Sequence, residues 1–153
     1  MRAPNHVPDL TAHLGYWLRY VSNHVSHAFA RKVEANGVTV AEWVLMRRLL
    51  DETGISPSQL AERVGMTRGA ITKLADRLIA KSLLVRTADP DDGRAQTLSL
   101  TPAGRALVPR LAALADANDA EFFDHLSDKD RAALLRIFRG IVKKRDLKSL
   151  PVD

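Results

Sequence analysis

The sequence of 153 residues predicts a mostly α-helical chain with one small β-hairpin. Through most of the chain, apolar residues recur at three- and four-residue steps, which is the period of an amphipathic helix. Residues that cap helices stand at the starts of these runs. Only residues 83–100 change to short strand-like runs, on either side of a polar turn that contains Pro and Asp-Gly. The expected order is two helices, a helix-turn-helix, a hairpin and two further helices.

Capping residues predict where the helices begin and end. A long first helix is expected from about Asp9 to Ala35, closed by Gly37 in a left-handed conformation. Glu42 and Gln59 stand three residues after a hydroxyl residue and complete two capping boxes. The hydroxyl residues expected to open the other five helices are Thr39, Ser56, Thr67, Thr101 and Ser127.

The change of period predicts two short strands, at 83–87 and 96–100, joined by the polar turn 88–95. The fifth helix is expected to run from Pro102 to about Phe123. The last two helices and the first carry more apolar residues than so small a central core needs. We therefore expect these surplus stripes to be buried between subunits.

Composition and charge narrow the function. The chain has no cysteine, which excludes disulfides, thiolate metal sites and cysteine nucleophiles. Glycine-rich phosphate loops, HExxH and the nucleophile elbow are also missing, so an enzyme is not expected. The N-terminus has no secretory h-region and no apolar run approaches a membrane span, so we expect a cytoplasmic protein.

The net charge of +5 is concentrated in the middle of the chain. Residues 56–105 contain eight Lys/Arg and five Asp/Glu, a net charge of +3, whereas the segments on either side carry +1 each. A basic segment favours a polyanionic partner, although charge alone is weak evidence for nucleic-acid binding.

The basic segment contains the spacing of a helix-turn-helix. Ala61, Gly65 and Ile71 stand at relative positions 0, +4 and +10. The motif needs a small residue where the two helices touch, a glycine with positive φ in the turn, and a β-branched apolar residue in the second helix. An ordinary helical hairpin is the alternative, but the outer face of the second helix argues against it.

That face combines small, hydroxyl-bearing and basic side chains at the helix N-terminus, the end that enters a major groove. Arg68 has the geometry to read a guanine edge, and Thr72 and Lys73 to contact bases or phosphate. Arg94 in the turn suits a narrow minor groove. At least one of the acidic residues beside it should be neutralised by a neighbouring basic group, for which the candidates are Arg94, Arg68 and Arg86. The candidate DNA-binding residues are Ser56, Ser58, Gln59, Thr67, Arg68, Gly69, Ala70, Thr72, Lys73, Arg86 and Arg94.

These motifs together resemble the multiple-antibiotic-resistance regulator (MarR) family of bacterial transcription factors. The resemblance covers nearly the whole chain and is carried by LAERVGMTRGAITKLADRL, SLLVR and DPDDGRAQTLSLTPAGRAL. The family's Asp-x-x-Asp-x-Arg wing corresponds to Asp89, Asp92 and Arg94. Asp91 departs from the pattern, because many members carry a basic residue there. Oxidant sensing through a cysteine, known in some members, is excluded here.

The resemblance implies a winged helix-turn-helix core at 37–101, flanked by helical dimerisation regions at 1–36 and 102–153 in one continuous subunit. It also implies a homodimer that binds a pseudopalindromic double-stranded operator, acts as a repressor and is released by a small ligand. No cofactor and no membrane partner are expected.

A second stripe on the first helix is a candidate effector site. The family's aromatic-acid ligands commonly bind near this helix, and an Arg beside aromatic rings would suit such an anion. The alternative is that these residues form part of the dimer interface. The spacing of His24 and His27 is also that of a metal pair, without an evident third ligand, so no metal site is assigned. The candidate effector residues are His13, Tyr16, Trp17, Tyr20, His24, Trp43 and Arg47.

Two other functions remain open from the sequence. A winged helix can dock a protein partner instead of DNA, but that predicts an apolar or acidic recognition face. The second is a DNA-binding protein that responds to neither metal nor ligand.

Overall fold

The computed structural model describes residues 6–89, 91–92 and 95–148. Its elements follow the predicted order, with one extra 3-10 turn at Leu10–Ala12. The elements are α1 (Leu14–Glu34), α2 (Val40–Leu50), α3 (Pro57–Val64), α4 (Arg68–Ala80), β1 (Leu84–Ala88), β2 (Gln96–Leu100), α5 (Pro102–Phe123) and α6 (Asp128–Lys144).

The five predicted hydroxyl caps are all present. Thr39 and Ser56 close full capping boxes, in which Glu42 and Gln59 accept the backbone N–H of the capping residue. Thr67, Thr101 and Ser127 each accept the N–H three residues later, at 3.1 Å. Because these side chains satisfy helix N–H groups that lack intrahelical partners, each of these five helices starts where the sequence predicted.

The start of the first helix was predicted wrongly. Asp9 caps the 3-10 turn, its carboxylate accepting the backbone N–H of Thr11 at 2.9 Å and the Thr11 hydroxyl at 2.8 Å. Both hydrogen bonds lower the pKa of the Asp9 carboxyl. His13 is extended (φ −102°, ψ 129°), and therefore α1 begins only at Leu14.

One hydrophobic core joins the central elements to both outer helices. Residues from α2, α3, α4 and the hairpin form most of it, and Val33 of α1 and Val108 and Leu111 of α5 complete it. The fully buried side chains include Leu45, Met46, Leu49, Leu60, Ile71, Leu78 and Leu98. The winged core, the C-terminal end of α1 and the N-terminal half of α5 are thus one packed unit.

The hairpin is antiparallel and pairs Leu84 with Leu100 at its base. It starts one residue later than predicted, because the N–H of Leu83 still bonds to the carbonyl of Leu78 at 2.9 Å and closes α4. Ile55, in the loop after α2, exchanges two backbone hydrogen bonds with Leu98, at 2.8 and 3.3 Å. This bridge, which the sequence did not predict, fastens the α2–α3 loop to the wing.

Replacing Ser82 by glycine is expected to stabilise the protein by about 0.5–1 kcal/mol. Ser82 has φ 60° in the turn between α4 and β1, and its side chain is exposed, so glycine would relieve strain without disturbing any packing. Chemical denaturation of both proteins measures the difference. Ser82→Ala keeps the strained backbone and is the control; a Gly variant no more stable than that control would contradict the prediction.

Large apolar side chains remain uncovered on the terminal helices. None of the 17 residues of α6 is buried. The N-terminal half of α1 is equally open, and Leu14 there is 89% exposed. The exposed apolar residues of the two helices are Leu14, Trp17, Leu18, Val21, Leu134, Leu135, Ile137, Phe138, Ile141 and Val142. In the part of the chain that the structure describes, no helix has the length and hydropathy of a membrane span.

Candidate nucleic-acid interface

The helix-turn-helix has the geometry that its three spaced residues predicted. Gly65 ends α3 with φ 70°, and its N–H and that of Met66 both bond to the carbonyl of Ala61. Ala61 is 7% exposed and Ile71 is fully buried. Because Gly65 is left-handed, the chain changes direction at this residue, and α4 begins three residues later. α4 then packs on α3 where the small side chain of Ala61 lets the two helices approach each other.

The two faces of α4 are sharply divided. Ile71, Leu74, Ala75 and Leu78 are buried. The predicted contact residues on the opposite side are exposed, apart from Ala70, which is half-buried: Thr67, Arg68, Gly69, Thr72 and Lys73. The Thr72 hydroxyl donates to the carbonyl of Arg68 at 3.0 Å, which holds one of its rotamers and leaves its acceptor lone pairs free.

The cations on this face are available to a ligand. Among the described residues, neither Arg68 nor Lys73 has a carboxylate within ion-pair distance. Arg68 is the first residue of α4, where the helix dipole adds to the positive potential, and Lys73 lies in the second turn. Exposed cations without a counter-charge are typical of a surface that binds an anion.

At the start of α3, the three predicted contact residues are not equivalent. Ser56 and Gln59 bond to each other, with the Ser56 hydroxyl donating to Gln59 Oε1 at 3.2 Å and accepting the Gln59 N–H at 3.2 Å. The exposed Ser58 hydroxyl has no such partner in the described part of the chain. Ser58 is therefore the one of the three with its side chain available to a phosphate oxygen.

One of the three cations expected to neutralise an acidic residue of the wing is paired elsewhere, because Arg86 Nη2 donates to Asp76 Oδ1 of α4 at 2.9 Å. Asp89 instead accepts the backbone N–H of Asp91 at 2.8 Å, within the turn. Arg94, predicted to enter a minor groove, lies outside the described residues. The Asp76–Arg86 pair fastens β1 to the recognition helix.

Sequence reasoning missed two residues of this surface. Arg77 lies four residues after Lys73, on the same face of α4, and that spacing was the available signal. Both side chains line a cleft of about 410 Å³, and Ala41 of α2 and Met66 of the turn lie on its other sides. Asp76, the partner of Arg86, carried no signal in the sequence because the pair joins two different elements.

Four of the seven candidate effector residues lie next to one another in the structure. The rings of Tyr16, Trp17, Tyr20 and His24 form a continuous row along α1, with neighbouring centroids 5.1–6.4 Å apart. Arg47, expected to face that row, forms an ion pair at 2.7 Å with Asp51, the C-cap residue of α2. Trp43 packs against the core, and His13 lies in the bend before α1.

Neither of two clefts found among the described residues includes these effector residues. The first lies beside α4, as described above, and the second, of about 220 Å³, lies between α1 and α5. Among the described residues, no three His, Asp or Glu side chains are grouped so that they could hold a metal ion, and the His24–His27 spacing has no third ligand there.

Comparisons with known proteins agree with the geometry. Residues 36–95 match the model of the MarR family. A helix-turn-helix transcriptional repressor of Mycobacterium bovis is 30% identical over 133 residues, which cover 87% of this chain and 93% of the relative. A cysteine variant of MarR from E. coli, complexed with operator DNA, has a TM-score of 0.75 at 22% identity and covers 84% of this chain and 93% of its own.

A third comparison concerns a regulator that responds to a small molecule. The structure of BpsR from Bordetella bronchiseptica, described for regulation of its DNA binding by 6-hydroxynicotinic acid, has a TM-score of 0.76 at 24% identity. The match covers 89% of this chain and 97% of that one. At these identities the solved structures establish the fold alone.

The fold and its exposed basic helix define a winged helix-turn-helix protein of the DNA-binding class. The chain belongs to the MarR family of transcriptional regulators. Its relatives are regulators and not enzymes.

Proposed function

We propose that the protein is a homodimeric repressor that binds a pseudopalindromic operator. The observation that carries this proposal is the exposed row of Arg68, Thr72 and Lys73 at the N-terminus of α4, opposite the buried face. A protein-docking winged helix would need an apolar or acidic face there. In this proposal α4 enters the major groove, and Ser58 and the N-terminus of α3 contact a phosphate.

The proposed dimer uses the uncovered helices. α6 and the first half of α1 each carry exposed apolar side chains, which are typical of a surface that a partner covers. A second copy of the same chain carries the same surface, and a two-fold axis would place two recognition helices roughly 34 Å apart, on successive major-groove faces. The dimerisation regions are then 1–36 and 102–153, and the DNA-binding region is 37–101.

The proposed effector is a small aromatic anion. The row of Tyr16, Trp17, Tyr20 and His24 offers ring faces and polar edges for such a ligand. BpsR, a protein of the same fold whose DNA binding is regulated by an aromatic carboxylic acid, supports this class of ligand. Because the row lies on α1 beside the exposed apolar residues, the partner subunit would complete the pocket.

The proposed function is tested by titrating the purified protein against its own upstream intergenic DNA at two salt concentrations, with random duplex as competitor. Preferential binding with a steep salt dependence is expected, since each phosphate contact releases counterions. Aromatic carboxylates are then added and are expected to release the DNA. Equal binding to random duplex would contradict operator recognition, and no binding at either salt concentration would favour a protein partner.

A Phe138→Glu variant is expected to be monomeric. Phe138 is 42% exposed in the protomer, at the centre of the apolar stripe of α6, and a carboxylate buried there would lose its hydration without gaining a partner. Sedimentation equilibrium should show twice the chain mass of 16.9 kDa for the native protein and a single mass for the variant. Lys129→Glu, on the same helix, is the control. A dimeric Phe138 variant would place the interface elsewhere.

A further inference from the structure

Glu42, in the first turn of α2, carries a carboxylate that is buried in the winged core. Its side chain is 1% exposed, and its Oε2 accepts hydrogen bonds from Lys81 Nζ at 2.7 Å and from the backbone N–H of Thr39 at 3.4 Å. The second contact belongs to the capping box of α2, which a glutamine would also satisfy. The ion pair with Lys81 is not needed for capping, and burying a charge is costly unless it is paired.

Lys81 is the residue that ends the recognition helix. It is the C-cap of α4, 13 residues after Arg68, and its side chain is 38% exposed. The pair therefore connects the end of α4 that is remote from DNA to the beginning of α2. A helix of this length is about 20 Å long, so a tilt of about 10° at one end moves the other by roughly 3 Å.

A cleft lies beside α4, between this helix and α2, so the two helices are not in contact along this flank. It separates Ala41 of α2 from Ala70, Lys73 and Arg77 along the flank of α4. The two helices therefore pack against each other through the buried face of α4 and not along this flank. The ion pair at the C-terminal end of α4 is a direct polar link between these helices.

We propose that Glu42 and Lys81 are positioning residues that set the tilt of the recognition helix and thereby its sequence discrimination. The inference rests on the proposed DNA-binding function. Contacts with base edges require accurate placement of Arg68 and its neighbours, whereas phosphate contacts made by long cations tolerate a small displacement. Loss of the pair therefore weakens specific binding more than non-specific binding.

The test uses a double variant, Glu42→Gln with Lys81→Met, in the full-length protein. It removes one negative and one positive charge, so the net charge is unchanged, and the glutamine keeps the capping hydrogen bond. The DNA probes are a duplex enriched from a randomised pool by the native protein and the unselected pool itself. Lys81→Met alone leaves Glu42 buried without a counter-charge, and Lys81→Arg keeps the pair.

Lys81→Met is expected to lower the melting temperature, and the double variant to recover it. The double variant should nevertheless bind the enriched duplex about tenfold more weakly than the native protein, with affinity for the unselected pool within about twofold. Lys81→Arg should discriminate between the two probes as well as the native protein does. Glu42→Gln alone is measured in parallel and should lose discrimination in the same direction.

Either of two results would overturn the inference. In the first, a stable double variant and Glu42→Gln both discriminate between the two probes as well as the native protein does. In the second, the variants lose the same factor of affinity for both probes. The experiment also separates this inference from the proposed function. If the native protein enriches no sequence from the pool, operator recognition itself is wrong and the inference is overturned with it. If it enriches one and the variants read it normally, only the positioning role is wrong.

Discussion

Replacing Arg68 and Lys73 together by alanine is expected to lower operator affinity about 10²- to 10³-fold, since removing a base contact costs about 1–3 kcal/mol and removing a phosphate contact adds to it. Both side chains are exposed on α4 and lack acidic partners among the described residues, so the folded protein loses no ion pair. Fluorescence anisotropy with a labelled operator measures the affinity, and sedimentation checks that the substitutions leave the oligomeric state of the native protein unchanged.

The matched control is Arg48→Ala with Arg110→Ala, which removes two exposed cations from α2 and α5. This control should change affinity far less, although the net charge falls by the same amount. The salt dependence of the Arg68/Lys73 variant should also become shallower, by about one ion for each phosphate that the variant no longer neutralises. Equal effects in the two double variants would mean that net charge, and not the recognition face, determines binding.

Replacing Gly104 by alanine is expected to destabilise the fold by about 2–3 kcal/mol through overpacking. A Cβ atom there would lie 2.2 Å from the carbonyl oxygen of Leu83 and 3.2 Å from Leu100 Cδ2. The carbonyl cannot easily move away, because it accepts the N–H of Thr101 at 3.1 Å at the base of the hairpin. Thermal or urea unfolding measures the decrease in stability.

Gly69→Ala is the comparison for this variant. A Cβ on Gly69 meets no atom within 4 Å, and alanine is the better helix former, so stability should stay the same or rise by up to about 1 kcal/mol. The two substitutions make the same chemical change at helical glycines. Similar stability in both variants would show that α5 and the Leu83 turn are less closely packed than the structure has them.

The local elements were predictable because their signals lie in a few adjacent residues. Each hydroxyl cap satisfies an N–H three residues away, and Gly65 adopts the positive φ that the turn requires. The one wrong helix start, at Asp9, has the same local character. The Asp9 carboxylate accepts two hydrogen bonds from Thr11, two residues later in the chain. These short-range bonds favour the 3-10 turn over an extension of α1.

The candidate site was only partly predictable. The exposed row of α4 follows from helical periodicity, so Arg68, Thr72 and Lys73 could be chosen from spacing alone. The partner of Arg86 could not, because Asp76 lies on another element, ten residues away in the chain. The distance between Arg47 and the aromatic row likewise depends on how α1 and α2 pack.

The sequence by itself determined the order of the main elements, the caps of the last five helices, the helix-turn-helix and the exposed face of α4, since all of these depend on residues within one or two helical turns. Only the tertiary structure decided which charges are buried and which surfaces remain open. It pairs Glu42 with Lys81 across 39 positions, brings Gly104 against Leu83 and leaves α6 uncovered. Those contacts arise from the packing of whole helices, and no short stretch of sequence contains both partners.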